Sequence, residues 1–250
     1  MAIHHYPRHL IQDWKVGDGR PVRTRPVRPE DAALLLAFFD ALSPEARYMR
    51  FMEELQELSP AMVARFTQID YDREMALIAT TVDDKGSEQM VGTARYALAA
   101  DGESVEFALV VADDWQRHGL GRRLMGALIE VARGKGFRSI FGDVLGKNAK
   151  MLRLMHGLGF LVQPHPEESA LRRVGERFHG KWRTPGGADS NVGSGTLPPL
   201  VRPGRSSRST ERRLQAFAHR AQHLDAGEVL VVGLHQRPRR ALGAGAVDHV

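Results

Sequence analysis

The passage from Phe107 to Arg122 constrains the chain most. An apolar run, Phe107-Ala-Leu-Val-Val-Ala112, enters a tight polar turn and then at once a helix. The turn is Gln116-Arg117-His118-Gly119-Leu120-Gly121. Leu120, Leu124, Leu128, Val131 and Ala132 then keep the spacing of one helical face, as far as Gly134-Lys135-Gly136. Glycines at 119 and 121 let the backbone approach a ligand closely. The free first-turn amides and the positive end of the helix dipole make such a junction a pyrophosphate site, and Arg117, Arg122 and Arg123 add charge. It is not the dinucleotide fingerprint, because position 124 is leucine where that motif has glycine. On the glycines alone, a plain strand–helix connector is an equal alternative.

Around this junction the first 179 residues alternate strand and helix signals. A β-prone charged segment spans 20–27. Pro29-Glu30-Asp31 then suits a first helical turn, and Leu34, Leu35, Phe38, Phe39 and Leu42 hold helical spacing. Ser43-Pro44-Glu45 and Ser59-Pro60-Ala61 each place a serine cap before a proline, which predicts two more short helices. Strands are expected at 75–82, 90–98, 104–112 and 138–145, a helix at 148–157, and closing strands at 160–162 and 171–174. This order predicts an α/β domain around one mixed sheet flanked by helices.

Composition excludes several classes. No cysteine is present, which removes disulfides, thiolate metal sites and a cysteine nucleophile, and fits a reducing cytoplasm. No apolar run nears the roughly 20 residues of a membrane span, and MAIHHYPRHL lacks a signal core. The net charge of +5 invites a nucleic-acid partner, but its location argues against one. Residues 180–250 hold 11 basic and 5 acidic side chains, whereas residues 1–179 hold 24 and 25. The basicity belongs to a Gly/Ser/Pro/Arg-rich tail with little aromatic interleaving. We therefore expect an N-terminal extension over 1–19, a folded domain over 20–178, and a low-complexity, disordered tail over 179–250. The tail's helix signal at 211–224 and strand-like run at 228–234 are assigned no function.

The (Gln/Arg)-x-x-Gly-x-(Gly/Ala) turn between an apolar strand and a helix resembles the acetyl-coenzyme A loop of the GNAT N-acetyltransferase superfamily. Asn148 and Leu158-Gly159-Phe160 follow in the order of that family's next block. Three further stretches resemble the acetyltransferase domain of bacterial Pat-type protein lysine acetyltransferases. They are Arg25-Pro-Val-Arg-Pro-Glu-Asp31, Leu42-Ser-Pro-Glu-Ala-Arg-Tyr48 and Ile69-Asp-Tyr-Asp-Arg-Glu-Met75. The resemblance covers about residues 20–178. It implies a GNAT fold, acetyl-CoA as co-substrate without a metal, and acetyl transfer to an amine by direct attack. The acceptor it implies first is a protein lysine, such as one on an acyl-CoA synthetase, with a small-molecule amine or a catalytically weak CoA-binding regulator as alternatives.

Carried over by residue, the resemblance gives the backbone of Leu109, Val110 and Val111 to the pantetheine and thioester. It gives the pyrophosphate to the amides of the Gln116-Arg117-His118-Gly119-Leu120-Gly121-Arg122 loop, and the mouth of the pantetheine channel to Asn148. Glu106 falls where Pat-type enzymes place a general base. Alternation sets Glu106 on the face opposite Phe107, and a carboxylate in a half-buried cleft can be tuned to take an ammonium proton. The competing expectation is an exposed glutamate paired with Arg95. One departure stands out: Met155 occupies the place of the tyrosine that protonates the leaving thiolate in many relatives, and methionine cannot donate a proton. His156, next to it, points about 100° away on a helix. His219 and His223 have metal-pair spacing but no third ligand. Trp115 is expected to pack. The acids Glu53, Glu54, Glu57, Asp70 and Asp72 are expected to form a solvated face.

Overall fold

The computed structural model describes residues 6–178. The expectations for residues 179–250, and those for His4, His5, His219 and His223, lie outside the described residues.

Eight strands form one sheet in the order β1-β2-β3-β4-β5-β6-β8-β7. They are β1 (Gln12–Lys15), β2 (Pro21–Pro26), β3 (Glu74–Val82), β4 (Glu88–Leu98), β5 (Ser104–Val111), β6 (Ser139–Leu145), β7 (Leu161–Pro164) and β8 (Leu171–Arg177). Every neighbouring pair is antiparallel except β5 and β6. The parallel pair requires a crossover, which α4 (Leu120–Gly134) supplies. The domain thus has the expected mixed α/β architecture. Its sheet starts earlier than expected, because β1 lies inside the stretch 1–19 set apart as an extension. β1 has no apolar alternation to announce it; its register on β2 is held by Trp14 Nε1 donating to Thr24 Oγ1 (2.9 Å) and by the Arg23–Asp13 ion pair (2.7 Å).

α4 buries Leu120, Leu124 and Leu128 completely against β3, β4 and β5. Full burial of each such side chain is worth about 1.5–3 kcal/mol, and this stripe anchors the loop that precedes it. α5 (Ala149–Gly157) covers the same face farther along, with Met155 in the core. The opposite face carries α1 (Ala32–Ala41), α2 (Pro44–Phe51) and α3 (Pro60–Thr67). The two serine caps form as the sequence predicts: Ser43 Oγ accepts from the amide of Ala46 and Ser59 Oγ from that of Met62, both at 3.2 Å.

Candidate active site

The sheet opens at one place. The ladder between β5 and β6 consists of three residue pairs, Ser104↔Ser139, Val105↔Ile140 and Glu106↔Phe141. Beyond Glu106 the two strands part, although β5 continues to Val111 and β6 to Leu145. Phe107 lies at the point of separation. Its ring packs edge-on against Phe160 (centroids 5.5 Å apart) and crowds Gly142, where a Cβ atom would come within 2.9 Å of the ring. The wedge leaves Leu109, Val110 and Val111 along the rim of a V-shaped opening, paired with β4 on their other side.

The polar turn sits at the wide end of this opening. Arg117 (φ 66°) and Gly119 (φ 87°) both take left-handed backbone, a conformation rare for a non-glycine residue. The first intrahelical bond of the turn runs from the Arg123 amide to the Gly119 carbonyl (3.0 Å), so the amides of Leu120, Gly121 and Arg122 emerge at the helix end. Gly121 has ordinary helical backbone. A Cβ there would meet Leu154 at 3.3 Å and Leu109 at 3.6 Å, so this glycine serves close packing of α4 on β5 and α5. The Arg122 guanidinium is held by the Gly157 carbonyl (3.0 Å), which leaves Arg122 its main-chain amide to turn toward the opening. Gln116 Nε2 donates to the Val111 carbonyl (3.2 Å) and its Oε1 accepts from Lys150 (3.2 Å), which ties the turn to the strand end and to α5. Asn148 caps α5 where β6 ends, its Oδ1 accepting from the Met151 amide (3.1 Å).

The β1–β2 turn straps this loop from outside. The Gly17 amide donates to the His118 carbonyl (3.1 Å), and His118 Nδ1 lies 3.1 Å from Asp18. Arg20 donates to the Asp114 carbonyl (3.1 Å) and stacks 3.8 Å from the Trp115 ring centre, so Trp115 packs as expected. Arg123 donates to Gln12 (3.2 Å) over the ring of Trp14.

Glu106 occupies the apex of the opening. It is 1% exposed, and neither carboxylate oxygen has a hydrogen-bond partner. The expected alternative of a pair with Arg95 is absent, since Arg95 turns to Glu74 at 3.5 Å. Burial, reinforced by the negative charge of Asp143, drives the Glu106 pKa well above the usual carboxylate range, against the pull of Arg173 and Arg50. Asp143 shares the Glu106 face, since Glu106↔Phe141 and Asp143↔Arg173 place all these residues on one side of the sheet. Burial alone would raise Asp143, but two Arg173 hydrogen bonds (2.8 and 2.7 Å) and His165 hold it below its ordinary value. His165 Nδ1 accepts the amides of Glu167 and Glu168, and its Nε2 lies 3.2 Å from Asp143 and 2.9 Å from Arg173. Sequence reading missed Asp143, Arg173, His165 and Arg50. A lone aspartate inside Ile140-Phe-Gly-Asp-Val-Leu145 was the available signal for a buried ion pair.

Met155 is fully buried in the apolar core, and His156 is exposed. Of the acidic set, Glu54, Glu57, Asp70 and Asp72 are exposed; Glu53 is half-buried, and burial raises its pKa. Among the described residues no group of three His, Asp or Glu side chains converges as a metal site, and no helix is long and apolar enough to cross a membrane.

Residues 36–160 match the model of the Acetyltransferase (GNAT) family. The chain is 40% identical over 152 residues to "Acetyltransferase PA5475" of Pseudomonas aeruginosa, covering 61% of this chain and 81% of that protein. It is 29% identical over 136 residues to "Acetyltransferase Pat" of Mycolicibacterium smegmatis, covering 54% of this chain and 40% of Pat. The fold superposes on the GNAT domain of S. lividans PAT with a TM-score of 0.63 and 28% identity, over 70% of this chain and all of that domain. With the open β5–β6 ladder and the amide-lined helix start already in place, these likenesses make the chain a member of the GNAT family of acetyltransferases, an acetyl-CoA-dependent enzyme of the amine-acetylating kind.

Proposed function

We propose that the chain acetylates a lysine ε-amine presented by another protein, with Glu106 as the general base. The observation that carries the base assignment is the unpartnered, buried Glu106 carboxyl at the apex of the β5–β6 opening. The lysine acceptor follows the likeness to Pat-type domains. The opening fits acetyl-CoA. The amides between Arg117 and Arg122 suit its pyrophosphate, the rim from Leu109 to Val111 suits the pantetheine arm, and Asn148 stands at the mouth. Acetyl-CoA supplies the acetyl group as a thioester, whose carbonyl carbon the amine attacks and whose sulfur leaves.

At rest, burial without partners disfavours the Glu106 anion and raises its pKa. An incoming ammonium supplies the missing countercharge, so that Glu106 ionises, its own proton passing to water as the acceptor binds, and the carboxylate then takes the proton that the amine must lose before it attacks. Met155 cannot donate a proton, so the leaving thiolate takes its proton from water or another donor, or leaves as the anion. A base placed beside a bound thioester gains chiefly from proximity.

The test is coenzyme A release with an acyl-CoA synthetase as acceptor. Glu106→Gln is expected to keep acetyl-CoA affinity and lose about 10²–10⁴-fold in turnover. Equal turnover in both proteins would remove Glu106 from the mechanism. Tight acetyl-CoA binding without acceptor-dependent release would favour a regulatory module.

A further inference from the structure

The Glu106 face of the sheet carries an excess of buried positive charge that the mechanism above does not use. Two guanidinium groups, from Arg65 and Arg95, share a single carboxylate, Glu74, and a third, from Arg50, lies close enough to Arg95 to repel it. Arg65 takes both Glu74 oxygens at 2.8 Å. Arg95, itself 7% exposed, is left with one long contact to Glu74 at 3.5 Å. Arg50, on α2, makes no hydrogen bond or ion pair among the described residues and rests on the Phe51 ring at 4.8 Å. Arg50 and Arg95 repel each other, and burial pushes them down to about 10 and about 9 respectively. Both line a cavity of about 40 Å³, together with Thr93, Val110, Ile78 and Met90, and no acidic residue lines it. A buried guanidinium held by one long contact, as at Arg95, is costly, and with the half-buried Arg50 beside it the cost falls when a further anion enters.

The cavity lies beside the base. Arg95 pairs with Ala108 and Ala97 with Glu106, so Arg95 and Glu106 are diagonal neighbours on one face, roughly 7–8 Å apart at the backbone. Arg50 faces Glu106 from the helix above. An acceptor that brings an ammonium to Glu106 and a carboxylate to the two arginines would give Glu106 a countercharge and relieve the excess positive charge at once. We propose that Arg50 and Arg95 form a carboxylate-binding subsite of the acceptor pocket, so that the acceptor carries a carboxylate close to its reacting amine. The proposal rests on Glu106 marking the acceptor face. Space that would hold roughly three water molecules admits a carboxylate head. That carboxylate has two sources: the α-carboxylate of a free amino acid, or an acidic side chain next to a target lysine.

Two measurements separate the outcomes. Coenzyme A release is compared between leucine, methionine and phenylalanine and their carboxamides, and between lysine peptides with glutamate or glutamine beside the lysine. The wild type is expected to favour the acid form by about ten- to hundredfold in kcat/KM, the range for hydrogen bonds to a charged partner. Arg50→Gln is expected to bring that ratio near one and Arg50→Lys to restore part of it. A preference among free amino acids identifies the first source, and one confined to the peptides identifies the second. Independently of turnover, 4-methylpentanoate should raise the unfolding temperature more than 4-methylpentanamide in the wild type and not in Arg50→Gln. Equal shifts from acid and amide, or a ratio unaltered by Arg50→Gln, would overturn the subsite. Arg50 stands at the edge of the cavity, so Arg50→Gln carries the test if Arg95→Gln fails to fold. A ratio of one with Glu106→Gln inactive removes only the subsite; full activity of Glu106→Gln removes the base and leaves the ratio readable.

Discussion

Glu106 and Asp143 share one face of the sheet, and only Asp143 has partners. Arg173 takes both Asp143 oxygens, whereas neither Glu106 oxygen has a hydrogen-bond partner. Two carboxyl groups in one buried region are thereby driven in opposite directions. Asp143 stays ionised and structural, and it adds to the burial that keeps a proton on Glu106.

This asymmetry sets the pH dependence of stability. Glu106 has a folded-state pKa above its unfolded value, so its contribution is fully present below the unfolded value and is lost as pH rises from there through the folded value. Glu106→Gln should therefore raise the unfolding temperature, and more at pH 9 than at pH 5. A melting series across that range checks it; a pH-independent difference would mean that the carboxyl is not held neutral. Activity should move the opposite way in the wild type, rising with pH as the base ionises.

Asp143 has the reverse sign. Its depressed folded pKa gives stability that is present above the unfolded value and lost as pH falls through the folded one. Arg173→Met leaves Asp143 buried without its bidentate partner and should cost about 3–5 kcal/mol, the range for breaking a buried pair. Denaturant unfolding at neutral pH measures it. A loss under about 1 kcal/mol would show that His165 alone satisfies the carboxylate.

The two glycines of the loop should fail for different reasons. At Gly119 a side chain meets open space but must adopt φ 87°, so Gly119→Ala should cost about 1–2 kcal/mol and disorder the amides. At Gly121 the backbone is unstrained, but a valine would press on Leu154 and Leu109 and lift α4 from β5. Acetyl-CoA affinity measured by calorimetry should fall in both, with Leu154→Ala partly rescuing Gly121→Val alone.

The strap between β1 and β2 should act on the cofactor and not on the chemistry. Asp18→Ala with Arg20→Ala removes the contacts to His118, Asp114 and Trp115. The KM for acetyl-CoA is expected to rise by about three- to tenfold with kcat held, which corresponds to one or two modest hydrogen bonds. A change confined to kcat would contradict a positioning role.

We further expect residues 6–178 to bind acetyl-CoA without the remainder of the chain, because every candidate cofactor contact lies inside them. Calorimetry on that fragment is the check, and loss of binding would make residues 1–5 or 179–250 necessary to the site.

Local chemistry in the sequence determined much of this protein. The strand–turn–helix junction, the leucine stripe of α4, the serine caps of α2 and α3 and the carboxylate at position 106 were legible because propensity, capping and periodicity act over a few residues. The start of the sheet was not, since β1 is held by a cross-strand bond from Trp14 and an ion pair and carries no pattern of its own. The reason for Gly121 was also hidden, because the side chain it makes room for belongs to Leu154, thirty-three positions away. Only the tertiary structure could show that Glu106 has no partner, that Arg95 turns to Glu74, and that Arg50 arrives from another layer. Whether a charge is paired or bare depends on which layers pack together. Packing, not local propensity, therefore decided the electrostatics of the site.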